Sequence, residues 1–217
     1  MQKLSFDNQQ NPLRRVLCLG AHCDDIEIGC GGTLLKLIEA YPALQVYWVV
    51  FSATPPRAAE AMASATALLD GVQEKQIVIK NFRDGYFPYS GGEIKEYFEQ
   101  LKDEFAPDLI FTHQRQDLHQ DHRVLCDLTW NTFRDHLILE YEIPKYDGDL
   151  GTPNLFVQLD EKLCARKVET LVTHYATQAN KHWFSKETFL ALLRLRGIEA
   201  RALSGYAEAF YCRKIIF

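Results

Sequence analysis

Apolar residues in this chain fall into short runs that alternate with longer amphipathic stretches. The runs are rich in β-branched and aromatic residues, as buried strands are, whereas the stretches repeat apolar residues every three to four positions, as helices do. The predicted strands cover residues 16–21, 45–52, 76–80, 108–112, 137–143, 154–159 and 207–216. The predicted helices cover residues 28–40, 57–69, 93–105, 124–133, 161–174 and 185–196.

Strands separated by helices of ten or more residues indicate right-handed crossovers between parallel strands. This order predicts an α/β fold in which a mostly parallel sheet carries helices on both faces. In such folds, ligands bind beyond the carboxyl ends of the strands. The 217 residues are 47% hydrophobic and show no break in composition, which predicts a single domain over residues 1–217.

Charge and hydropathy narrow the class of ligand. A formal net charge of -5 argues against a nucleic acid or an anionic lipid surface as partner. The first ten residues lack the apolar stretch of a signal peptide, and the longest apolar run, residues 46–53, is too short to span a membrane. The six cysteines occur singly, without the spacing of a disulfide framework. We therefore expect a cytoplasmic protein with no membrane span and a small-molecule ligand.

Two short segments carry imidazole and carboxylate groups just after predicted strands. His22, Asp24 and Asp25 follow the first strand, and His119 and His122 follow the strand at residues 108–112. A borderline-soft divalent ion takes imidazole nitrogen and carboxylate oxygen together, and three protein ligands leave one position for water. The two segments therefore favour a metallohydrolase.

The spacing of these residues suggests which of them bind the metal and which act in catalysis. His22 and Asp25 can face one ion across a tight turn, and His122 can complete a three-ligand site. Asp24 would lie beside the water as a general base. His119 could stabilise an oxyanion or protonate a leaving amine.

Residues next to these groups have two interpretations each. Asp121 either orients an imidazole or is a solvated residue at a helix start. Cys23 either offers a thiolate to the metal and to oxidants, or its thiol faces away from the site. Gly29, Gly31 and Gly32 lack the spacing of a dinucleotide fingerprint, and we expect them to let the first helix pack closely against the sheet.

Both segments resemble the signatures of the PIG-L/LmbE-like zinc-dependent N-deacetylases. The first is GAHCDDIEIGCGGT at residues 20–33, and the second is PDLIFTH at residues 107–113 followed by DLHQDHR at residues 117–123. Cys23 stands where this family usually has proline, a departure that frees a backbone donor in the loop. Further similar stretches extend the resemblance over nearly the whole chain: Arg57 with Glu60, PNLFV at 153–157 and YAEAF at 206–210.

The resemblance implies a Rossmann-like three-layer sandwich with a metal site at the carboxyl ends of the strands. It implies zinc, with iron(II) as an alternative, held by His22, Asp25 and His122. It also implies Asp24 as base and His119 as acid or electrophile. The implied reaction removes an N-acetyl group from an amino sugar of the GlcNAc type, free or in a nucleotide or glycan conjugate.

The sequence supports substrate-binding residues less strongly than metal ligands, because each candidate could also be an ordinary surface residue. Four candidates are arginines near predicted strand ends: Arg57, Arg83, Arg115 and Arg123. The other two, His174 and Gln178, fall in a stretch that is similar to a family segment near the site.

Several alternatives stay open. The amide could belong to a larger acyl group or to a thiol-conjugated amino sugar. A non-haem iron oxygenase would use His22, Asp24 and a distant histidine, but its usual all-β scaffold disagrees with the alternating pattern. A non-catalytic sugar-binding protein would need neither Asp24 nor His119. The number of subunits, including a homo-oligomer, is also open.

Overall fold

The computed structural model describes residues 12–216, so the interpretation of the first ten residues lies outside the described part. The strands of this part are β1 (Arg15–Gly20), β2 (Gln45–Val50), β3 (Glu74–Ile79), β4 (Leu109–His113), β5 (Leu137–Tyr141), β6 (Leu155–Leu159) and β7 (Tyr206–Cys212). Its α-helices are α1 (Asp25–Ala40), α2 (Pro55–Leu68), α3 (Gly91–Glu104), α4 (Gln120–Thr132), α5 (Glu161–His174) and α6 (Lys186–Glu199). None of these helices is long and apolar enough to cross a membrane.

Within residues 12–216 the strands form one sheet in the order β3-β2-β1-β4-β5-β7-β6. The pairs from β3 to β5 are parallel, and β7 runs antiparallel to both β5 and β6. The predicted α/β fold with a mostly parallel sheet is confirmed. The strand order reverses between β1 and β4, the position at which open sheets of this kind bind ligands.

Alternate side chains of each central strand enter two separate cores, as the period of two in a strand requires. Val16 and Cys18 of β1 pack in the core that α1, α2, α5 and α6 cover. Leu17 and Leu19 pack in the core that α3 and α4 cover. The sheet is therefore the middle layer of three.

Among the helices that begin earlier than predicted, the two with the largest differences begin at the candidate site. α1 starts at Asp25 rather than at residue 28, and α4 starts at Gln120 rather than at residue 124. The apolar period does not extend into these first turns, which carry acidic side chains suited to a helix N-terminus. β7 ends at Cys212 rather than at residue 216, because its register with β5 runs only to the pair Leu139 and Cys212.

Close packing of α1 against the sheet requires glycine at two positions. A β-carbon on Gly29 would lie 2.2 Å from the ring of Tyr141, and one on Gly32 would lie 2.4 Å from Leu159. The predicted role is confirmed for Gly29 and Gly32, whereas a β-carbon on Gly31 would meet Leu68 of α2 at 3.3 Å. The N-terminus of α1 is held tightly against the carboxyl ends of the strands.

Candidate metal centre

The two His and Asp segments meet because β1 and β4 are neighbours in the sheet. The loop after β1 carries His22, and the loop after β4 leads to His122 in the first turn of α4. The Nδ1 atom of His22 lies 3.1 Å from the Nε2 atom of His122. Both imidazoles are buried.

Three donor atoms converge on one point. The Oδ2 atom of Asp25 lies 3.4 Å from Nδ1 of His22 and 3.6 Å from Nε2 of His122. Ligands of a tetrahedral zinc ion, bound at roughly 2.0 to 2.1 Å, lie about 3.4 Å from one another. The separations of His22, Asp25 and His122 therefore fit a single tetrahedral ion.

Carboxylates hold the far nitrogens of both imidazoles. Nδ1 of His122 lies 2.9 Å from Asp117, and Nε2 of His22 lies 3.3 Å from Asp121 and 3.1 Å from Asp84. Such partners fix the tautomer of a ligating histidine and its ring orientation. They leave Nε2 of His122 and Nδ1 of His22 directed at Asp25.

Asp121 is fully buried, so its interpretation as a solvated residue is wrong. Its carboxylate accepts hydrogen bonds from the backbone N–H groups of Gly85 at 2.7 Å and Phe87 at 3.1 Å. It therefore connects His22 to the loop that follows β3. Asp84, the exposed member of the cluster, lies on the same loop.

His113 is a site residue that the chemical interpretation of the sequence missed. It ends β4 and is fully buried, and its Nε2 atom lies 3.1 Å from Oδ2 of Asp25 and 3.0 Å from the backbone nitrogen of Ala21. Its ring stacks on that of His122, with centroids 3.8 Å apart. The sequence did contain a signal for this residue, because His113 is the polar last residue of an otherwise mostly apolar strand. Asp25, His113 and His122 form an alternative group that could hold a metal.

Asp24 precedes the ligand candidate Asp25 and is buried, and its two carboxylate oxygens differ in their partners. Its Oδ1 atom accepts a hydrogen bond from Arg57 at 3.1 Å, and its Oδ2 atom has no partner among the described residues. Burial and the nearby Asp25 carboxylate raise the pKa of Asp24, although Arg57 opposes the shift. Asp24 therefore keeps one oxygen available to accept a proton.

Asp25 has the opposite electrostatic environment. Burial alone would raise its pKa, but the imidazoles of His122 and His113 hold the pKa well below its usual range. Neighbouring carboxyl groups with pKa values shifted in opposite directions are a common basis for dividing acid, base and ligand roles.

His119 occupies the N-cap of α4, where its Nδ1 atom accepts a hydrogen bond from the backbone N–H of Asp121 at 3.3 Å. Its ring stacks on His122 with centroids 4.6 Å apart and meets His22 edge-on at 4.8 Å. Burial and the nearby His22 lower its pKa. With Nδ1 engaged as an acceptor, the proton lies on Nε2.

The proposed substrate residues lie in different surroundings. Arg57 contacts Asp24, and the guanidinium of Arg83 stacks over the ring of Tyr86 at 3.5 Å, on the loop bound by Asp121. The guanidinium of Arg123 instead donates hydrogen bonds to the carbonyls of Asp117 and Leu118, at 3.0 and 2.5 Å. A role for them in substrate binding stays a prediction.

The later candidates lie further from the donors. Arg115 pairs with Asp127 at 3.2 Å on the surface. His174 is the last residue of α5, and its side chain makes no hydrogen bond or ion pair within residues 12–216. Gln178 is buried in the short 3-10 helix that follows. Their contact with substrate also stays a prediction.

Cys23 does not supply a thiolate, so that interpretation is wrong. Its side chain is fully buried, and its thiol donates to the carbonyl of Ser52 across 3.4 Å. Burial raises the pKa of the thiol to about 12. The other interpretation agrees with the structure, because the thiol faces Ser52 and not the three candidate ligands.

The site lies within a segment that is similar to a known family. Residues 17–133 match the family model described as PIG-L: GlcNAc-PI de-N-acetylase. The chain belongs to the PIG-L family. Among curated proteins, none matches the chain.

Solved structures share the fold of this PIG-L protein at low sequence identity. N,N'-diacetylchitobiose deacetylase from Pyrococcus horikoshii is 24% identical, with a TM-score of 0.72 over 95% of this chain and 86% of that one. A zinc-inhibited form of teicoplanin deacetylase is 16% identical, with a TM-score of 0.70 over 91% and 97% of the two chains. A 4-carboxy-2-hydroxymuconate hydratase from Pseudomonas putida is 14% identical, with a TM-score of 0.70 over 94% and 98%.

The PIG-L match runs from β1 through α4 and includes both His and Asp segments. The likeness to a hydratase as well as to deacetylases indicates that this fold alone does not determine the reaction. The reaction depends on the side chains at the carboxyl ends of β1 and β4.

Proposed function

We propose that the protein is a metal-dependent hydrolase that removes an N-acetyl group from an amino sugar of the GlcNAc type or its nucleotide or glycan conjugate. The observation that carries the proposal is the convergence of three donor atoms of His22, Asp25 and His122, with the available oxygen of Asp24 beside them. The family description, a de-N-acetylase, and similar structures named as deacetylases support the same reaction.

We assign His22, Asp25 and His122 as ligands of zinc, with iron(II) as the alternative ion. Their separations of 3.1 to 3.6 Å and the carboxylate partners of both imidazoles fit such an ion. When bound, zinc supplies a water with a pKa of about 7 and polarises the amide carbonyl.

Asp24 acts as the general base in this proposal. Its Oδ2 atom accepts the proton of the attacking water, and the hydrogen bond from Arg57 to Oδ1 keeps the carboxylate in place. The raised pKa of Asp24 makes it a stronger base than an exposed aspartate, which favours proton transfer near neutral pH. The same group then returns the proton to the leaving amine.

His119 acts on the other side of the amide. Its Nε2–H group donates a hydrogen bond to the carbonyl oxygen as negative charge develops there. The backbone N–H of Asp121 holds the ring by its Nδ1 atom. The neutral ring has only this one N–H group, at Nε2, so Asp24 supplies the proton for the leaving amine.

The geometry also bears on the rival reactions. An oxygenase triad with Asp24 as carboxylate ligand would need that side chain between the two imidazoles, where Asp25 lies. An amidase acting on a longer acyl chain uses the same groups, so the two differ only in substrate. A substrate panel must therefore include longer N-acyl sugars.

Mass spectrometry of such a panel tests the proposal. Zinc-loaded protein is incubated with N-acetyl sugars, their nucleotide and glycan conjugates, and N-acyl analogues. We expect loss of one acetyl group from at least one substrate, and at least about a hundredfold slower loss with zinc-loaded Asp24→Asn protein. Absence of any deacylated product at full zinc occupancy would contradict the proposed function.

A further inference from the structure

We infer that Tyr175 is a positioning residue that holds the peptide between Cys23 and Asp24, and through it the proposed base and the metal-binding loop. This inference rests on the proposed function for its catalytic consequence, but its effect on metal binding can be tested without any substrate.

The geometry around the Tyr175 hydroxyl is specific. Tyr175 directly follows α5, its side chain is fully buried, and its hydroxyl lies 2.5 Å from the carbonyl oxygen of Cys23. The same hydroxyl lies 2.6 Å from Oε1 of Glu27 in the first turn of α1. The hydroxyl of Ser64 on α2 donates to that carboxylate oxygen at 2.5 Å. Three helices thus converge behind the loop that carries His22, Asp24 and Asp25.

The Cys23 carbonyl belongs to the peptide that leads into Asp24. Rotation of this peptide would turn the backbone of Asp24 and move its carboxylate, which one hydrogen bond from Arg57 holds on the side-chain end. Cys23 has no ring to fix its φ angle, so the loop depends on contacts from outside for its conformation. The hydroxyl of Tyr175 and the carbonyl of Ser52 provide these contacts, one to the backbone and one to the thiol.

Tyr175 lies outside the segment that matches the PIG-L family, which ends at residue 133. The residue is also buried against Phe184, with ring centroids 6.2 Å apart, so a role in packing alone must be separated from positioning. Tyr175→Phe makes this separation, because it keeps the ring and removes only the hydroxyl. A packing residue would lose stability on that change, whereas a positioning residue would also alter the site.

Tyr211→Phe is the matched control. The hydroxyl of Tyr211 likewise lies beside a buried carboxylate, that of Glu142 at 3.0 Å, away from the candidate metal centre. Each variant loses one phenol hydroxyl next to a buried carboxylate, so we expect both to lower the melting temperature. Only Tyr175→Phe should change the metal-binding loop.

The experiment measures zinc affinity by competition with a chelator and kcat and KM with a substrate identified in the panel. For Tyr175→Phe we expect zinc binding or kcat to fall by roughly tenfold, the lower end of the range for outer partners of a metal site, with KM little changed. Tyr211→Phe should leave all three within about twofold. Zinc affinity and kcat both unchanged in folded Tyr175→Phe would overturn the inference.

Two further outcomes are informative. If wild-type protein deacetylates nothing but Tyr175→Phe binds zinc more weakly, the proposed function fails while the positioning of the loop is supported. If Tyr175→Phe does not fold, Ser64→Ala removes the other donor to Glu27 at the same junction. We then expect a smaller loss of zinc affinity in the same direction, and unchanged affinity would overturn the inference.

Discussion

The Nδ1 atom of His22 lies 3.1 Å from the Nε2 atom of His122, and both atoms face the same carboxylate oxygen of Asp25. Two buried imidazoles are close enough for a proton or a cation to lie between them. Carboxylates around His22 raise its pKa against the effect of burial, whereas burial and the neighbouring His113 lower the pKa of His122 to about 3. A histidine ligand binds a metal through a deprotonated ring nitrogen, so metal binding is favoured by higher pH and releases any proton held by His22.

Removal of one donor should empty the site. We expect purified protein to contain about one zinc or iron ion per chain and His122→Ala to contain almost none, because two remaining donors bind weakly. His22→Ala and Asp25→Ala should behave alike. Elemental analysis by mass spectrometry measures the content, with the exposed His182→Ala as control. Undiminished metal in His122→Ala would show that the ligands have been assigned wrongly.

Asp24→Asn should separate catalysis from metal binding. The amide keeps the shape of the side chain but cannot accept a proton, so we expect kcat to fall about a hundredfold or more with normal metal content. His119→Ala should show the same combination. Loss of the metal in Asp24→Asn would instead make Asp24 a ligand and revive the oxygenase arrangement.

The sequence predicted much of this arrangement because strand ends are easy to locate. The apolar run before His22 and the one before His119 identify two parallel strands, and parallel strands bring their carboxyl ends to one edge. The convergence of His22, Asp25 and His122 follows from that logic. Their assignment as metal ligands stays a prediction.

Residues on irregular segments were harder to place. Asp84 and Asp117 lie in loops, where a polar side chain is solvated by default and only the path of the loop decides otherwise. At the end of α5, the substrate contact predicted for His174 stays a prediction, whereas the next residue, Tyr175, was missed and turns inward to Cys23. Helix ends cannot be predicted to one position, yet one position changes the direction of a side chain by about 100°.

Asp117 should control the affinity of the metal through His122. Its carboxylate lies 2.9 Å from Nδ1 of His122, and Lys145 pairs with it at 3.0 Å. We expect Asp117→Asn to weaken zinc binding by about 10- to 100-fold, as loss of such partners does elsewhere. The control is Asp127→Asn, which removes a surface partner of Arg115. Equal zinc affinity for the two variants in a chelator competition would contradict a role for Asp117.

Cys23 should be inert towards alkylating reagents in the folded protein. Burial raises its pKa to about 12, so the reactive thiolate is scarce near pH 8 and becomes common only as the pH approaches that value. The partly exposed Cys212 should react first. Peptide mapping after a short treatment with iodoacetamide, with and without denaturant, measures both sites. Rapid labelling of Cys23 in native protein would show that the loop opens readily.

The ion pair of Arg196 and Glu142 should matter for stability rather than for chemistry. Both side chains are buried, they lie 2.8 Å apart, and Arg196 also donates to the carbonyl of Gly151. Arg196→Met leaves the buried Glu142 carboxylate without its partner, which we expect to cost about 3 to 5 kcal/mol of unfolding free energy. Adding Glu142→Leu to this variant should restore most of the loss, because no unpaired charge then remains.

An exposed pair provides the comparison. Lys162 and Glu39 lie 3.3 Å apart on the surface, so Lys162→Met should cost no more than about 1 kcal/mol. Urea unfolding followed by circular dichroism gives all four free energies. Metal content should stay unchanged throughout, because Arg196 and Glu142 contact none of His22, Asp25 and His122. Arg196→Met could lose as little unfolding free energy as Lys162→Met only if water reached the Glu142 carboxylate in the variant. That result would show that the space beside α6 is open enough to admit water.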